Sequence, residues 1–121
     1  MIGTNNTATS PSAEKETAET IKTIVAKVLA KHPESKVLLM PIFPREEKPD
    51  GKYRQGNEEI NKLLRPVADG EKVIWLDINQ KLVNADGTAS AEVMGNDFLH
   101  PTLKGYQVWY DALLPYLEGT K

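Results

Sequence analysis

An aspartate and a histidine near the C-terminus have the spacing of a carboxylate–imidazole pair. Asp97 precedes His100 by three residues in the stretch NDFLHPTLKGY, residues 96–106. Because Pro101 and Thr102 convert this loop into a helix start, the carboxylate can reach one imidazole nitrogen while the other faces a substrate. The pair predicts a general base, and a complete site would also need a nucleophile and an oxyanion-stabilising group.

Two apolar runs and three amphipathic segments predict the scaffold for this pair. The runs 37–43 and 73–78 are predicted as strands of a parallel sheet that is covered on both faces. Helices are predicted from Ser12 to Lys31, from Asn57 to Gly70 with an interruption at Pro66, and from Thr102 to Gly119. This order predicts an α/β fold in which ligands gather at the carboxyl ends of the strands.

Local signals refine the helix ends and faces. Ser10 followed by Pro11 is typical of a helix cap with proline at the first helical position, and Ser12 is an alternative cap. His32 is expected at the surface, because Pro33 ends the helix beside it. The following residues are predicted to face the core: Ile21, Ile24, Val25, Val28 and Leu29 in the first helix, Ile60, Leu63, Leu64 and Val67 in the second, and Tyr106, Trp109, Leu113 and Leu117 in the last.

Composition excludes several classes of function. A net charge of -2 with mixed signs leaves no basic stripe for nucleic acid, and the absence of cysteine excludes disulfides and thiolate chemistry. No apolar run approaches the ~20 residues that span a bilayer, and no leader precedes the first motif. We therefore expect a soluble protein that is cytoplasmic as the sequence stands. Its compartment stays open, since a longer parent could be secreted.

Three polar segments lie outside the predicted helices and strands. Residues 3–7 (GTNNT) follow only two residues, so they are equally a solvated tail or a turn that presents an amide over a sheet edge. Residues 44–52 are predicted as a charged surface loop, with a rim of the substrate site as the alternative. The turn at residues 84–87 offers oxygen ligands for calcium, but the twelve-residue pattern of a calcium loop is absent. The sequence predicts no metal site and no cofactor.

Taken together, these blocks resemble the C-terminal half of an SGNH/GDSL-type ester hydrolase, in particular the branch of the platelet-activating-factor acetylhydrolase catalytic subunits. The resemblance covers essentially all 121 residues, and it rests on residues 3–7, the strand ends at 42–45 and 76–78, and residues 97–106. It implies a single domain over residues 1–121 with a three-layer αβα, flavodoxin-like parallel sheet. The implied activity is hydrolysis of small esters.

The resemblance also implies roles for four residues. His100 would be the general base that deprotonates a serine, and Asp97 would be the carboxylate that orients it. Asn5 would donate its side-chain amide to the oxyanion, and Gly3 would let the turn approach that charge. These roles match the charge that develops in ester hydrolysis.

The chain departs from the family pattern at the nucleophile. The Gly-Asp-Ser block and the second oxyanion glycine of the family are absent, so the nucleophile is unknown. Ser10 and Ser12 lie nearest the Asn5 turn, but both positions are typical of helix caps. The fold is therefore expected to be truncated, with the nucleophile strand missing. Met1 is interpreted as a boundary within a longer parent.

Truncation has a consequence for assembly. Without the family's central strand, the strand at 37–43 would carry an unpaired edge, which invites pairing with another chain. We expect a homo-oligomer, most simply a two-fold dimer, formed through this strand. Two functions stay open: a small-acyl esterase with an unorthodox nucleophile or one from a partner chain, and a non-catalytic fragment or oligomerisation module.

Overall fold

The computed structural model describes residues 1–118, in which four helices surround a two-stranded parallel sheet. The helices are α1 (Ala13–Lys31), α2 (Lys52–Leu64), α3 (Ala91–Met94) and α4 (Leu103–Glu118), and the strands are β1 (Val37–Leu39) and β2 (Val73–Trp75). Single 3₁₀ turns occur at Thr4–Asn6, Arg65–Val67 and Asn79–Lys81. The predicted helix end at Gly119 lies outside the described residues.

The two strands separate two layers of helices. β1 pairs with β2 in parallel register, with Val37 opposite Val73 and Leu39 opposite Trp75. Successive residues of a strand point to opposite faces. Leu39 accordingly packs with α1 and α2, whereas Met40 packs with Trp109 of α4. The predicted α/β fold with a parallel sheet is confirmed.

Each face of the sheet has its own buried cluster. The cluster beneath α1 and α2 consists of Ala18, Ile21, Val25, Leu39, Ile42, Ile60, Leu64 and Val73. The cluster beneath α4 consists of Phe43, Ile78, Leu82, Val93 and Met94. Phe43 meets Trp109 edge to face, with 5.0 Å between the ring centroids. Burial of apolar surface on both sides explains why the strand sequences are apolar throughout.

Both strands are shorter than predicted, because side-chain amides replace the ladder beyond β1. The last ladder bond runs from the Leu76 N–H to the Leu39 carbonyl, at 3.0 Å. Further on, the Asn61 side chain accepts from the Ile42 N–H at 2.7 Å and donates to the Ile42 carbonyl at 3.0 Å. Asn79 donates to the same carbonyl at 2.9 Å. The backbone N–H and carbonyl of Ile42 are therefore hydrogen-bonded although this residue is not part of a strand.

Helix α2 begins at Lys52 rather than Asn57, five residues earlier than predicted. The Glu46 carboxylate accepts from the backbone N–H groups of Tyr53 at 2.9 Å and Arg54 at 3.2 Å. This bond pattern caps the helix from a residue that lies outside it. The first turns of α2 bury Arg54 and Asn57, so apolar periodicity could not reveal them.

Helix α1 begins at Ala13, so the predicted cap at Ser10 with Pro11 in the first turn is wrong. The alternative cap position at Ser12 is right, although its hydroxyl donates to the Glu16 carboxylate instead of accepting a backbone N–H. The helix ends at Lys31 with His32 exposed, as predicted.

Four residues that were predicted to face the core are exposed. Ile24 and Val28 flank the buried stripe of α1 and are 41% and 39% exposed. Tyr106 and Leu117 are 54% and 49% exposed, because the inward face of α4 starts at the buried Gly105 and continues through Trp109. No helix within residues 1–118 is long and apolar enough to cross a membrane.

The first turn of α4 packs directly on the end of α3. A Cβ atom at Gly105 would overlap the Val93 carbonyl oxygen, which already accepts the Thr102 N–H at 3.0 Å. The Gly105 N–H in turn donates to the Thr102 hydroxyl at 3.2 Å, so Thr102 caps the helix as predicted. This contact fixes the helix that follows His100.

We predict that Gly105→Ala destabilises the fold by about 1–3 kcal/mol, because the new methyl group forces α4 away from Val93. Helix propensity alone predicts the opposite sign, a gain of ~1 kcal/mol. Urea unfolding followed by circular dichroism measures the difference. Gln107→Ala, at an exposed position of the same helix, is the matched control. A stabilised Gly105→Ala variant would contradict the close packing.

Candidate active site

The loop that precedes α4 holds Asp97 and His100 in direct contact. His100 Nδ1 lies 2.7 Å from Asp97 Oδ2. The second carboxylate oxygen, Oδ1, accepts from the backbone N–H groups of Leu99 at 3.0 Å and His100 at 3.1 Å. Both carboxylate oxygens are therefore used to close the loop and to orient the imidazole.

These hydrogen bonds lower the pKa of Asp97 from 3.8 to about 2. The bond from the His100 side chain contributes most, followed by the backbone N–H groups of His100 and Leu99. Asp97 is thus ionised at neutral pH and can only accept hydrogen bonds. It favours the tautomer in which Nδ1 carries the proton, which leaves Nε2 available to take one.

Residues 95–102, which connect α3 to α4 and carry the proposed base His100, are called the base loop here. This loop contains a strained residue that a second segment stabilises. Phe98 has a positive φ of 49°, and its carbonyl accepts the backbone N–H of Glu46 at 3.1 Å. Glu46 itself has a positive φ of 65°. Non-glycine residues rarely adopt this conformation, and such strain persists only where the surroundings enforce it. The hydrogen bond therefore couples two strained positions.

The N-terminal polar segment is a fixed turn rather than a solvated tail. The Asn6 N–H donates to the Gly3 carbonyl at 3.0 Å, which closes a 3₁₀ turn around Asn5. Gly3 has a φ of 112°, and a Cβ there would lie 2.9 Å from the Ile42 side chain. The φ of 112° therefore favours glycine at this position, and a larger residue would also displace the end of the Ile42 side chain. Thr7 is buried beneath the turn.

Two side chains from elsewhere in the fold hold this turn in place. Arg45 Nη1 donates to the Thr4 carbonyl at 2.9 Å, and its guanidinium lies 4.3 Å from the ring centroid of Tyr53. Asn57 Nδ2 donates to the Thr4 hydroxyl at 3.1 Å and to the Phe43 carbonyl at 3.2 Å. The residue before Asn5 is thereby tied to α2 and to the segment after β1.

Asn5 and His100 lie on the walls of one open cleft of about 420 Å³. The cleft is lined by Met1, Thr4, Asn5, Leu99, His100, Pro101, Tyr106 and Trp109. Gly3 and Asp97 do not line the cleft. Gly3 closes the turn that carries Asn5, and Asp97 contacts the His100 imidazole. Tyr106 was predicted to be core, but it stacks on Trp109 at the cleft wall with 6.0 Å between the ring centroids. The position of Tyr106 in the first turn of α4, directly after the base loop, is the sequence feature that could have placed it at the cleft.

A comparison with protein-family models identifies the family of the chain. Residues 1–108 match the GDSL-like Lipase/Acylhydrolase family. The chain belongs to this family. Over 98% of its length it is 36% identical to subunit alpha2 of platelet-activating factor acetylhydrolase IB from Rattus norvegicus and 35% identical to the Homo sapiens subunit. The alpha1 subunit from Homo sapiens is 34% identical over 87% of the chain.

Solved structures show the same fold. A Streptococcus pneumonia protein described as a candidate platelet activating factor superimposes on 97% of the chain with a TM-score of 0.75 and 25% identity, and the match covers 57% of that protein. A GDSL-like lipase from Bacteroides thetaiotaomicron superimposes with a TM-score of 0.69 and 22% identity, covering 89% of this chain and 54% of the lipase. The chain spans about half the length of the curated relatives it matches, 52% for the alpha2 subunits.

The nucleophile candidates of this GDSL-like chain lie apart from the cleft. Neither Ser10 nor Ser12 is among the eight lining residues, and the Ser12 hydroxyl donates a hydrogen bond to Glu16.

The turn at residues 84–87, which was considered for calcium, uses a carboxylate oxygen within the turn itself. Asp86 Oδ1 accepts hydrogen bonds from the Thr88 N–H and hydroxyl. Within residues 1–118, no three His, Asp or Glu side chains are grouped to hold a metal ion.

We predict that the depressed pKa of Asp97 makes the base loop sensitive to acid. Such a carboxyl group has a lower pKa in the folded state than in the unfolded state, so it stabilises the fold at pH values above its unfolded-state pKa. This contribution is lost as the pH falls through the folded-state pKa. The loop should therefore loosen as the pH drops from 3.8 to about 2. In an NMR titration, the Asp97 carboxyl carbon and the amides of Leu99 and His100 should share a midpoint near 2. A midpoint at 3.8 would contradict the contacts.

Proposed function

We propose that this chain supplies the acid–base and oxyanion side of an ester-hydrolase site for small acyl esters. The observation that carries the proposal is that His100, whose Nδ1 lies 2.7 Å from the Asp97 carboxylate, lines the same cleft as Asn5. Membership of the GDSL-like lipase/acylhydrolase family supports ester hydrolysis as the class of reaction. The curated relatives are named as subunits of an acetylhydrolase, which favours an acetyl-sized acyl group.

The proposed chemistry uses the residues that line the cleft. His100 Nε2 would take the proton of a serine hydroxyl as its oxygen attacks the ester carbonyl, and the Asn5 amide would donate to the resulting oxyanion. His100 would return the proton to the leaving alcohol. A water molecule, activated in the same way, would then release the acid and restore the serine. Asp97 holds the imidazole in position throughout.

We infer that the serine comes from outside these 121 residues. The sequence has no Gly-Asp-Ser block, and the serines nearest the Asn5 turn do not line the cleft. In the isolated chain His100 would activate water directly, which gives slow hydrolysis because removing one member of a triad leaves only residual catalysis. An unorthodox nucleophile in the chain is the competing explanation.

Hydrolysis of a chromogenic acetyl ester by the purified chain tests the proposal. We expect a slow rate above the buffer background, which falls by about 100-fold or more in His100→Ala and at least 100-fold in Asn5→Ala. His32→Ala removes the other histidine, which is exposed at the end of α1, and should leave the rate unchanged.

Mass spectrometry after treatment with a fluorophosphonate probe then locates any serine nucleophile. We expect no adduct on this chain. An adduct on Ser10 or Ser12 would replace the inference of an external serine. Activity that survives His100→Ala would contradict the site, and complete inactivity of the folded chain would favour the non-catalytic alternative.

The alternative function, an oligomerisation module, is favoured by the free edge of β1. Within the described part of the chain, β1 pairs on one side only. Met1 and Ile2, which line a cavity together with Leu38 and Leu39 of β1, are 61% and 60% exposed. An unpaired strand with apolar flanks is a template for pairing. We propose a two-fold dimer through residues 37–43, which is compatible with the esterase proposal.

Light scattering coupled to size exclusion measures this assembly directly. At micromolar concentration we expect twice the chain mass of 13.5 kDa. Leu38→Lys places a charge at the middle of β1 and should return the protein to one chain mass. Lys62→Glu, on the exposed side of α2, is the control that should leave the dimer intact. A single chain mass for the unmodified protein would refute the dimer.

A further inference from the structure

The cleft with His100 has an apolar wall that the proposed reaction does not use. Besides Met1, this wall consists of Leu99, Pro101, Tyr106 and Trp109. An acetyl group is much smaller than the cleft volume of about 420 Å³. The apolar wall is therefore available to the alcohol part of an ester. The inference that follows rests on the proposed function, because it assigns the rest of the same site.

Three aromatic rings lead from the core to this wall. Phe43 is buried and meets Trp109 edge to face, with 5.0 Å between the ring centroids. Trp109 is further held by its indole N–H, which donates to Met40 Sδ at 3.1 Å. Tyr106 lies almost parallel to Trp109, with 13° between the ring planes, and it is more than half exposed. The row of rings therefore begins in the core and ends in an exposed ring on the cleft wall.

The cleft leaves few polar groups for the alcohol part. The Thr4 hydroxyl accepts from Asn57, and the Thr4 carbonyl accepts from Arg45. The proposed reaction uses the Asn5 amide and the His100 imidazole. None of the eight lining residues is a lysine, arginine, aspartate or glutamate. An alcohol part with several hydroxyl groups or a charge would lose hydration there without gaining enough partners.

We propose that the cleft takes acetyl esters of aromatic alcohols and that Tyr106 is the residue that selects them. The ring of the alcohol would pack on the Tyr106 ring, in the stacked or edge-to-face arrangement that aromatic pairs prefer. Leu99 and Pro101 supply apolar surface beside it. Hydrolysis of such an ester with one water molecule would release acetic acid and the aromatic alcohol, whose oxygen takes the proton from His100.

A quaternary ammonium alcohol is a different ligand that aromatic faces attract. The Asp97 carboxylate does not line the cleft, and both of its oxygens accept hydrogen bonds within the base loop. A cation in the cleft would therefore lose hydration without meeting a carboxylate on the lining. This difference favours the neutral aromatic alcohol.

Binding of benzylacetone to the full chain tests the inference without hydrolysis. This ketone has the shape of benzyl acetate with a methylene group in place of the ester oxygen, so no bond can be hydrolysed. In NMR titrations we expect saturable shifts of the Trp109 indole N–H and the Tyr106 ring signals, with a Kd on the order of 1–10 mM. The analogue with a cyclohexyl ring should bind roughly 2–10-fold more weakly.

Variants of Tyr106 separate the ring from the rest of the wall. Tyr106→Ala should weaken binding of benzylacetone by about tenfold, and Tyr106→Phe should retain it. Tyr106→Leu keeps an apolar side chain at this exposed position and should weaken binding severalfold, which serves if Tyr106→Ala does not fold. Tyr110→Ala, at another exposed tyrosine of α4 that does not line the cleft, is the matched control and should change nothing.

Hydrolysis of benzyl acetate and of methyl acetate is compared in the same variants. Tyr106→Ala should raise the KM for benzyl acetate alone. Binding that depends on Tyr106 in a chain that hydrolyses neither ester would support the aromatic ligand and contradict the proposed function instead. The inference is overturned if Tyr106→Ala and Tyr106→Leu bind benzylacetone as tightly as the unmodified chain, if the cyclohexyl analogue binds equally well, or if a trimethylammonium ketone of similar size binds more tightly.

Discussion

The hydrogen bonds of Arg45 and Glu46 hold the two walls of the cleft in one arrangement. Arg45 fixes the carbonyl before Asn5, and the backbone of Glu46 fixes the carbonyl of Phe98 in the base loop. The Glu46 carboxylate also caps α2. Because the sheet has only two strands in the described residues, strand pairing alone cannot place Asn5 relative to His100. The geometry of the proposed site therefore depends on this charged segment.

Side-chain amides form hydrogen bonds to backbone groups that neighbouring strands would satisfy in a wider sheet. Asn61 and Asn79 satisfy the backbone of Ile42, and Asn57 connects the Asn5 turn to the end of β1. Such bonds are directional, and each is stabilising because a buried backbone group would otherwise lack a partner. They position polar atoms at the carboxyl ends of the strands.

The parts of the fold that the sequence predicted are those with local signals. Asp97 and His100 contact across three residues, and α1 has an apolar stripe and a proline stop. The remaining features depend on distant partners. The start of α2 depends on Glu46, which lies six residues before the helix. Residues 44–52 were predicted as a surface loop or substrate rim, without a capping role. The early end of β1 depends on hydrogen bonds from Asn61 to the backbone of Ile42. The exposure of Tyr106 depends on the close packing of Gly105 in α4 against Val93.

In the proposed site, Asp97 presents His100 to the cleft as a general base. Two-bond ¹H–¹⁵N NMR spectra of the imidazole at neutral pH measure which ring nitrogen carries the proton. We predict that the neutral ring is protonated at Nδ1, which donates to Asp97, and that Nε2 is unprotonated. In Asp97→Asn this preference should be lost. A neutral ring protonated at Nε2 in the unmodified chain would show that Asp97 does not orient His100 for this role.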